Sequence, residues 1–240
     1  MRNRFGYTVA ILMTLLIFAA GCSKKDSNPS SPADTGTQTP PPVPNVIFNG
    51  PVSSSQNPML MLVNGYVKSM NLFLNYSSLF ANVQATYDNG IWSRKFLNGT
   101  LTMTLNATPQ QDGSFLWKLT VSGTSDSVSY NNWLALEGTT SADGKTGNWK
   151  LFANNSQLLQ GEYAWKQNPD GSLTGSVNAF DNSGKLITRT ELTNNSDKTG
   201  QVLFYLGQTL SFKALWDANG GGQWWQYGLD GNPLHQGTWS

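Results

Sequence analysis

The chain of 240 residues has a single cysteine, Cys22, in the stretch "FAAGC" near its start. One cysteine excludes an internal disulfide and any metal site built from several thiolates. The stability of the folded part must therefore come from its core. An odd number of cysteines in an exported chain indicates that one thiol has a specific role. Its position after an apolar run and three small residues makes Cys22 a candidate attachment point, the alternative being a free thiol beside an ordinary cleavage site.

Histidine and charged residues are also scarce, since the chain has one histidine, His235, and only 12% charged residues. A lone histidine near the C-terminus is typical of a surface position, and no Ser-His-Asp set can be built around it. No Asp-x-Asp-x-Asp-Gly calcium loop occurs. We therefore expect no catalytic residues, no cofactor and no metal. Glu137, Glu162 and Glu191 are strand carboxylates that could form a glycosidase pair, which leaves a glycan-active enzyme as an alternative.

The apolar run of residues 7–20 is shorter than the ~20 apolar residues that a transmembrane helix needs. Preceded by Arg2 and Arg4 and followed by small residues, it has the three parts of an export signal. The stretch "FAAGC" resembles the lipobox of bacterial lipoproteins, although Ala19 stands where leucine is commonest. The resemblance implies that residues 1–21 are a signal peptide and that Cys22 is the mature N-terminus. It also implies that acyl chains such as palmitate on Cys22 anchor the protein in a membrane.

Residues 22–45 are rich in Ser, Pro, Thr, Asp and Gln and contain almost nothing apolar. This composition predicts a disordered linker. In bacterial lipoproteins an aspartate after the cysteine implies retention in the inner membrane; Ser23 stands there in this chain, so we expect the outer membrane, facing the periplasm or the cell surface. Removal of residues 1–21 leaves 13 basic and 14 acidic side chains. This balance gives no reason to expect a nucleic-acid partner.

Residues 46–240 have a length typical of a single domain, and their apolar residues alternate with polar ones. Leu101, Met103 and Leu105 alternate with threonines, and the same period of two recurs at residues 115–121 and 210–216. Asp-Gly pairs at residues 112–113, 143–144, 170–171 and 230–231 predict hairpin turns between these runs. The fold class predicted is mainly β, an antiparallel up-and-down meander of about 10–12 strands in a curled sheet or half-open barrel.

One segment differs from this pattern. Between Pro58 and Val83, apolar residues fall three or four apart, as on one face of a helix; they are Met59, Leu62, Val63, Tyr66, Met70, Phe73 and Phe80. We predict a helix at about residues 57–83, packed on the apolar face of the sheet. The pair Asn64-Gly65 leaves a hairpin as the alternative.

A short motif recurs four times, with a glycine, then Trp or Val two residues later, then an aromatic five residues after the glycine. The copies begin at Gly147, Gly175, Gly200 and Gly222, a spacing that fits one hairpin each. In a regular strand the Val or Trp and the final aromatic face opposite sides. Core placement of Val177 and Val202 then predicts an aromatic ladder on the other face, a candidate ligand surface, formed by Phe152, Phe180, Tyr205 and Tyr227. The alternative is that these rings belong to the core.

The glycine and aromatic spacing resembles MORN-type hairpin repeats. The helix followed by a long meander on an outer-membrane lipoprotein is similar to the half-open barrels of LolA and LolB, carriers that hold acyl chains. The function expected is that of a monomeric, non-catalytic lipoprotein that binds an envelope protein or a polysaccharide. A carrier of lipid, as implied by the second resemblance, is the alternative, and a glycan-active enzyme is a further one.

Overall fold

The computed structural model describes residues 39–52, 57–74, 79–125 and 127–240. Within them it has one helix, α1 (Pro58–Leu74), and thirteen strands in a single antiparallel sheet. The strands are β1 (Ala85–Asp88), β2 (Ile91–Asn98), β3 (Leu101–Pro109), β4 (Phe115–Ser125), β5 (Val128–Thr140), β6 (Thr146–Phe152), β7 (Leu159–Gln167), β8 (Leu173–Phe180), β9 (Leu186–Asn194), β10 (Gly200–Leu206), β11 (Thr209–Trp216), β12 (Gly222–Tyr227) and β13 (Pro233–Trp239). Each strand pairs with the next along the chain, and β1 and β13 are the free edges. The predicted up-and-down meander with a helix is confirmed, with thirteen strands.

Tight turns with an aspartate and a glycine join many of the strands. Gly171 has φ of 85°, a left-handed conformation that glycine adopts without steric cost. Asp170 precedes it and accepts hydrogen bonds from the Ser172 hydroxyl (2.7 Å) and backbone N–H (2.9 Å). These bonds favour the carboxylate and hold the pKa of Asp170 below its ordinary value. Side-chain and backbone hydrogen bonds lower the pKa of five other turn aspartates in the same way: Asp112, Asp143, Asp181, Asp197 and Asp230.

Several strand glycines lie beneath a large ring on the neighbouring strand. Gly200 stands opposite Trp216 in register, and a Cβ on Gly200 would overlap the indole ring. The same relation joins Gly147 to Trp165, and equivalent pairs are Gly138 with Trp149 and Gly222 with Trp239. In three of the four motif copies the glycine is therefore required by the indole that lies across it, and in the fourth Gly175 lies beneath the Phe48 ring.

The apolar face of the sheet is covered by α1 and by an extended segment, residues 41–52, which we call the strap. The strap runs past successive strands: the Arg94 guanidinium on β2 donates to the Pro41 carbonyl (3.1 Å), and the Phe48 ring lies against Gly175 on β8. Phe48 is 1% exposed, and Pro41 and Pro44 are also buried although they belong to the predicted linker. The core thus lies between the sheet on one side and the strap and helix on the other.

Two asparagine side chains hold the strap backbone from both sides. Asn71 on α1 accepts from the Phe48 N–H and donates to the Phe48 carbonyl, both at 2.8 Å. Asn194 at the end of β9 makes the same pair of bonds with Asn49, at 2.7 and 2.8 Å. Each amide supplies one donor and one acceptor, as a strand neighbour would, so the strap is fixed without a paired strand.

The helix forms across Asn64-Gly65, so the hairpin alternative is wrong. Asn57 caps it by accepting from the Met59 N–H (2.8 Å), and Pro58 occupies the first turn, where its missing N–H costs nothing. The predicted inward face is largely confirmed, since Val63 and Met70 are buried and Met59 and Tyr66 pack against the core. Leu62 is 37% exposed instead, Leu60 and Val67 are buried, and Phe80 is buried beyond the end of α1 at Leu74. Tyr66 stacks on Phe204 at 5.0 Å, and burial raises its pKa above the ordinary value. Phe73 lies in α1, but its side chain is outside the described part.

The four motif copies fall on β6, β8, β10 and β12, one hairpin apart, as the spacing predicts. Val202 is fully buried and Val177 packs against the core. Each copy also has a bulge on the return strand opposite its final aromatic; the unpaired residues are Gln160, Ile187, Ser211 and Leu234. Because the bulge is on the partner strand, side chains on the motif strand keep their alternation.

Candidate functional site

The solvent face of the sheet carries a row of polar side chains that crosses seven strands in register. From β4 to β10 its members stand directly opposite one another: Lys118, Glu137, Lys150, Glu162, Asn178, Arg189 and Tyr205. They lie on the face opposite the core, because Trp149, Tyr163 and Val177 on the same strands are core residues. The row places cationic and anionic groups next to one another across the middle of the sheet.

Two ion pairs and a ring contact order the ends of this row. Lys118 Nζ lies 3.1 Å from Glu137 Oε2, and Arg189 Nη2 lies 2.9 Å from Glu191 Oε1. The Arg189 guanidinium also lies over the Tyr205 ring, 4.3 Å from its centroid, and the Tyr205 hydroxyl donates to Glu191 at 3.4 Å. The paired side chains are 34–48% exposed, and such pairs contribute only about 0–1 kcal/mol to stability. Their arrangement matters more for what the surface can bind.

A cleft of about 330 Å³ opens in the middle of the row. This volume is near the lower end for small-molecule sites. Trp149 and Tyr163, which are core residues, contribute to its lining. The remaining lining residues are Asn148, Lys150, Glu162, Ala164, Ser176 and Asn178, from β6, β7 and β8. The cleft therefore has a small alanine at its centre and amide, hydroxyl, ammonium and carboxylate groups around it.

The polar groups in and beside the cleft are only partly satisfied by one another. Asn178 Nδ2 donates to Glu162 Oε2 at 3.5 Å, a long bond, and Asn148 Nδ2 donates to Thr139 at 2.9 Å. Asn178 Oδ1 and Arg189 Nε are buried and have no hydrogen-bond partner. Among the residues that the structure describes, no ion pair joins Lys150 to the glutamates on either side of it.

The four predicted ladder aromatics are all partly exposed, but they do not form one straight row. Tyr205 stands opposite Arg189 and so shares a row with Asn178. Phe180 lies two residues beyond Asn178 and therefore one step further along the same face. Phe152 is equally far beyond Lys150. Within the described residues none of the four rings, including Tyr227, stacks on another.

Lys150, Asn178 and Arg189 were not among the candidate site residues predicted from the sequence. Lys150 and Asn178 occupy the same position in successive copies of the motif, three residues after the glycine. The corresponding residues in the later copies are Leu203 and Trp225, and the Lys213 ammonium lies 5.2 Å from the Trp225 ring centroid. This shared position in the motif is the sequence signal that could have identified Lys150 and Asn178. It does not by itself predict that polar residues from β7 and β9 stand beside them.

The other candidates are dispersed. His235 lies exposed on the edge strand β13, and the turn aspartates lie at the ends of the sheet. Within residues 39–52, 57–74, 79–125 and 127–240, no three His, Cys, Asp or Glu side chains form a metal-binding group. No helix in the same part of the chain is long and apolar enough to cross a membrane. Cys22 and the signal peptide lie outside the described residues.

No protein-family model matches this chain, and comparison with curated proteins found no match.

Proposed function

We propose that this protein is an exported, lipid-anchored lipoprotein of the outer membrane whose β-meander binds a polysaccharide of the cell envelope or surface. The observation that carries the binding role is the polar row from β4 to β10 with the cleft at its centre. The proposed location is based on the export signal at residues 1–21 and the lipobox-like position of Cys22.

The chemistry of this face supports a sugar ligand. Sugar rings present hydroxyl groups at their edges and C–H groups on their faces, so surfaces that bind them combine planar polar side chains with aromatic rings. Glu162, Asn178 and Arg189 supply the planar polar groups, and Tyr205 lies at the end of the same row. Trp225 adds a further partly exposed ring on this face of β12.

We propose that binding occurs without cleavage. A retaining or inverting glycosidase needs two carboxyl groups free to act on one bond. Glu137 is engaged by Lys118, and Glu191 by Arg189 and Tyr205. Only Glu162 of the three strand glutamates borders the cleft.

Binding can be tested with the full chain in a detergent whose headgroup is not a sugar. The chain is co-sedimented with insoluble envelope polysaccharides, and the bound fraction is measured. We expect wild type to bind, and Tyr205→Ala together with Tyr227→Ala to lose binding while the Tm stays nearly unchanged. Lys95→Ala, on the same face of β2 and far from the cleft, is the matched control and should bind normally.

Three results would contradict the proposal. Absence of binding to any polysaccharide would remove the function itself. Release of reducing ends from the polysaccharide would indicate an enzyme. Lipid that remains bound in native mass spectrometry, released by changes on the core side, would favour the carrier of acyl chains.

A further inference from the structure

Two polar atoms in or beside the cleft on β6–β8 have no hydrogen-bond partner in the protein. Asn178 Oδ1 can accept a hydrogen bond, the Arg189 Nε–H beside it can donate one, and both atoms are buried. Lys150, an exposed residue that lines the same cleft, makes no ion pair with Glu162 opposite it, within the described residues. Buried polar groups in proteins nearly always have a partner. Both atoms have almost no accessible surface, so a ligand reaches them only when the side chains above them move aside. The ligand must then offer a donor to Asn178 Oδ1 and an acceptor to Arg189 Nε.

We propose that the cleft binds one uncharged sugar unit, whose hydroxyl groups are contacted by Lys150, Glu162, Asn178 and Arg189. The proposal rests on the polysaccharide binding proposed above and names the chemical class of its ligand and the residues that recognise it.

The hydrogen-bonding requirement selects a hydroxyl-bearing ligand. Asn178 Oδ1 needs a donor, whereas Lys150 and the Arg189 Nε–H need acceptors. A carboxylate or phosphate offers acceptors only, and an ammonium offers donors only. A hydroxyl group donates one hydrogen bond and accepts others, so two neighbouring hydroxyls satisfy the amide oxygen and the cationic groups together.

The charge distribution favours a neutral ligand over an acidic one. The row has three cationic and two anionic side chains, and Glu191, paired with Arg189 on the same strand, adds a third anionic group beside it: Lys118, Lys150 and Arg189, with Glu137, Glu162 and Glu191. An anionic group near Lys150 would also face Glu162 directly across β6 and β7. Attraction and repulsion at such similar distances largely cancel, so the carboxylate of an acidic sugar gains little over the hydroxymethyl group that it replaces, and it cannot donate to Asn178 Oδ1.

The position of the cleft argues against an extended peptide as the ligand. Peptides that bind β-sheets through their backbone add a strand at a free edge. The free edges of this sheet are β1 and β13, whereas the cleft lies on β6, β7 and β8 in its interior. The groups that it offers are side chains on the face of the sheet. Such side chains can contact the hydroxyl groups at the edge of a sugar ring.

The test is isothermal titration of the full chain, in a detergent without a sugar headgroup. The probes are neutral tetrasaccharides of hexoses and N-acetylhexosamines and the corresponding hexuronic acid tetrasaccharides. We expect a neutral tetrasaccharide to bind more tightly than its uronic acid counterpart. Asn178→Ala should weaken that binding by about tenfold or more, because it removes hydrogen bonds at a half-buried residue. Lys150→Ala should weaken it by a smaller factor, because Lys150 is exposed. Asn106→Ala is the matched control and should leave the affinity unchanged, because Asn106 stands opposite Lys118 on β3, outside the row and away from the cleft.

The possible failures separate the two proposals. Tighter binding of the uronic acid oligomers would overturn the neutral ligand and leave polysaccharide binding standing. Neutral binding that is unaffected by Asn178→Ala and Lys150→Ala, with folding verified by circular dichroism, would move the site away from the cleft. If no saccharide binds, both proposals fail, and a protein partner captured through Tyr205 and Tyr227 becomes the alternative.

Discussion

At the scale of single residues, the repeat is explained by a packing contact between neighbouring strands. A glycine on one strand leaves space, and an indole from the neighbouring strand fills it, as at Gly200 with Trp216 and Gly147 with Trp165. In two of these pairs the indole N–H also reaches a turn carbonyl, since Trp165 Nε1 donates to the Gly144 carbonyl at 3.0 Å and Trp239 Nε1 to the Gly220 carbonyl at 2.8 Å. These two rings are thereby buried without an unsatisfied donor.

Gly200→Ala tests this relation. The added methyl would overlap the Trp216 ring, so the strand or the ring must shift, and we expect a loss of about 1–3 kcal/mol in the free energy of unfolding. Gly65→Ala is the matched control, because nothing lies within 4 Å of its added methyl and alanine favours a helix by about 1 kcal/mol. Urea denaturation measures both. Equal effects of the two changes would show that the indole does not require the glycine.

The sequence predicts part of this residue pattern for clear physical reasons. Asp-Gly turns and alternating strands depend on neighbours in the chain, and both were predicted correctly at Asp112-Gly113 and Asp170-Gly171. The partner of each glycine depends on strand register, which brings Trp216 opposite Gly200. Local patterns do not contain register, because a shift by one residue would exchange the two faces.

At the scale of elements, the strap and α1 cover the apolar face of the sheet, as a second sheet does in a β-sandwich. The strap has no strand pairing of its own, so its backbone depends on Asn71 and Asn194. The sequence predicted the helix and most of its inward face correctly, at Val63, Tyr66 and Met70, but it also included Leu62, which is exposed. Helical spacing alone does not fix the edges of the buried face in a segment so rich in apolar residues, because contacts with the sheet decide them.

Asn71→Ala should loosen the strap. The change leaves the Phe48 N–H and carbonyl without partners at a largely buried residue, and we expect a loss of about 1–3 kcal/mol in the free energy of unfolding. Hydrogen exchange at the Phe48 amide should accelerate well before global unfolding. Asn64→Ala is the control, because Asn64 makes a single weak bond to the strap, at 3.4 Å to the Pro51 carbonyl. If Phe48 exchange is the same in both variants, Asn71 does not hold the strap.

The turns predict how stability depends on pH. The pKa of Asp170 in the folded chain lies below its unfolded value, because Ser172 stabilises the carboxylate. Its contribution is therefore complete above the unfolded pKa, near 4, and is lost as the pH falls through the lower folded pKa. Asp170→Asn should make the loss of stability between about pH 5 and about pH 2 smaller than in wild type. Denaturant midpoints across this range measure it, and an unchanged acid profile would contradict the prediction.

At the scale of the whole molecule, the two faces of the meander have different roles. One face is apolar and covered, and the other carries the polar row that converges on the cleft. Composition and alternation predict two such faces. They do not predict the cleft, because Lys150, Glu162 and Asn178 are distant in the chain and meet only through the register of β6, β7 and β8. The predicted aromatic ladder assumed equal registers, whereas Phe180 and Tyr205 differ by one step.

The remaining prediction concerns the anchor, which depends on Cys22, outside the described residues. If the thiol receives the lipid, Cys22→Ser removes the only sulfhydryl in the chain and with it the attachment. We expect labelled palmitate to enter the wild-type chain and not the variant, and the variant to be found uncut or soluble. Ser23→Ala is the control and should remain labelled. The sheet and the binding face do not involve Cys22, so the variant should bind the same saccharides. Labelled palmitate in Cys22→Ser would refute the anchor and leave the binding proposals in place.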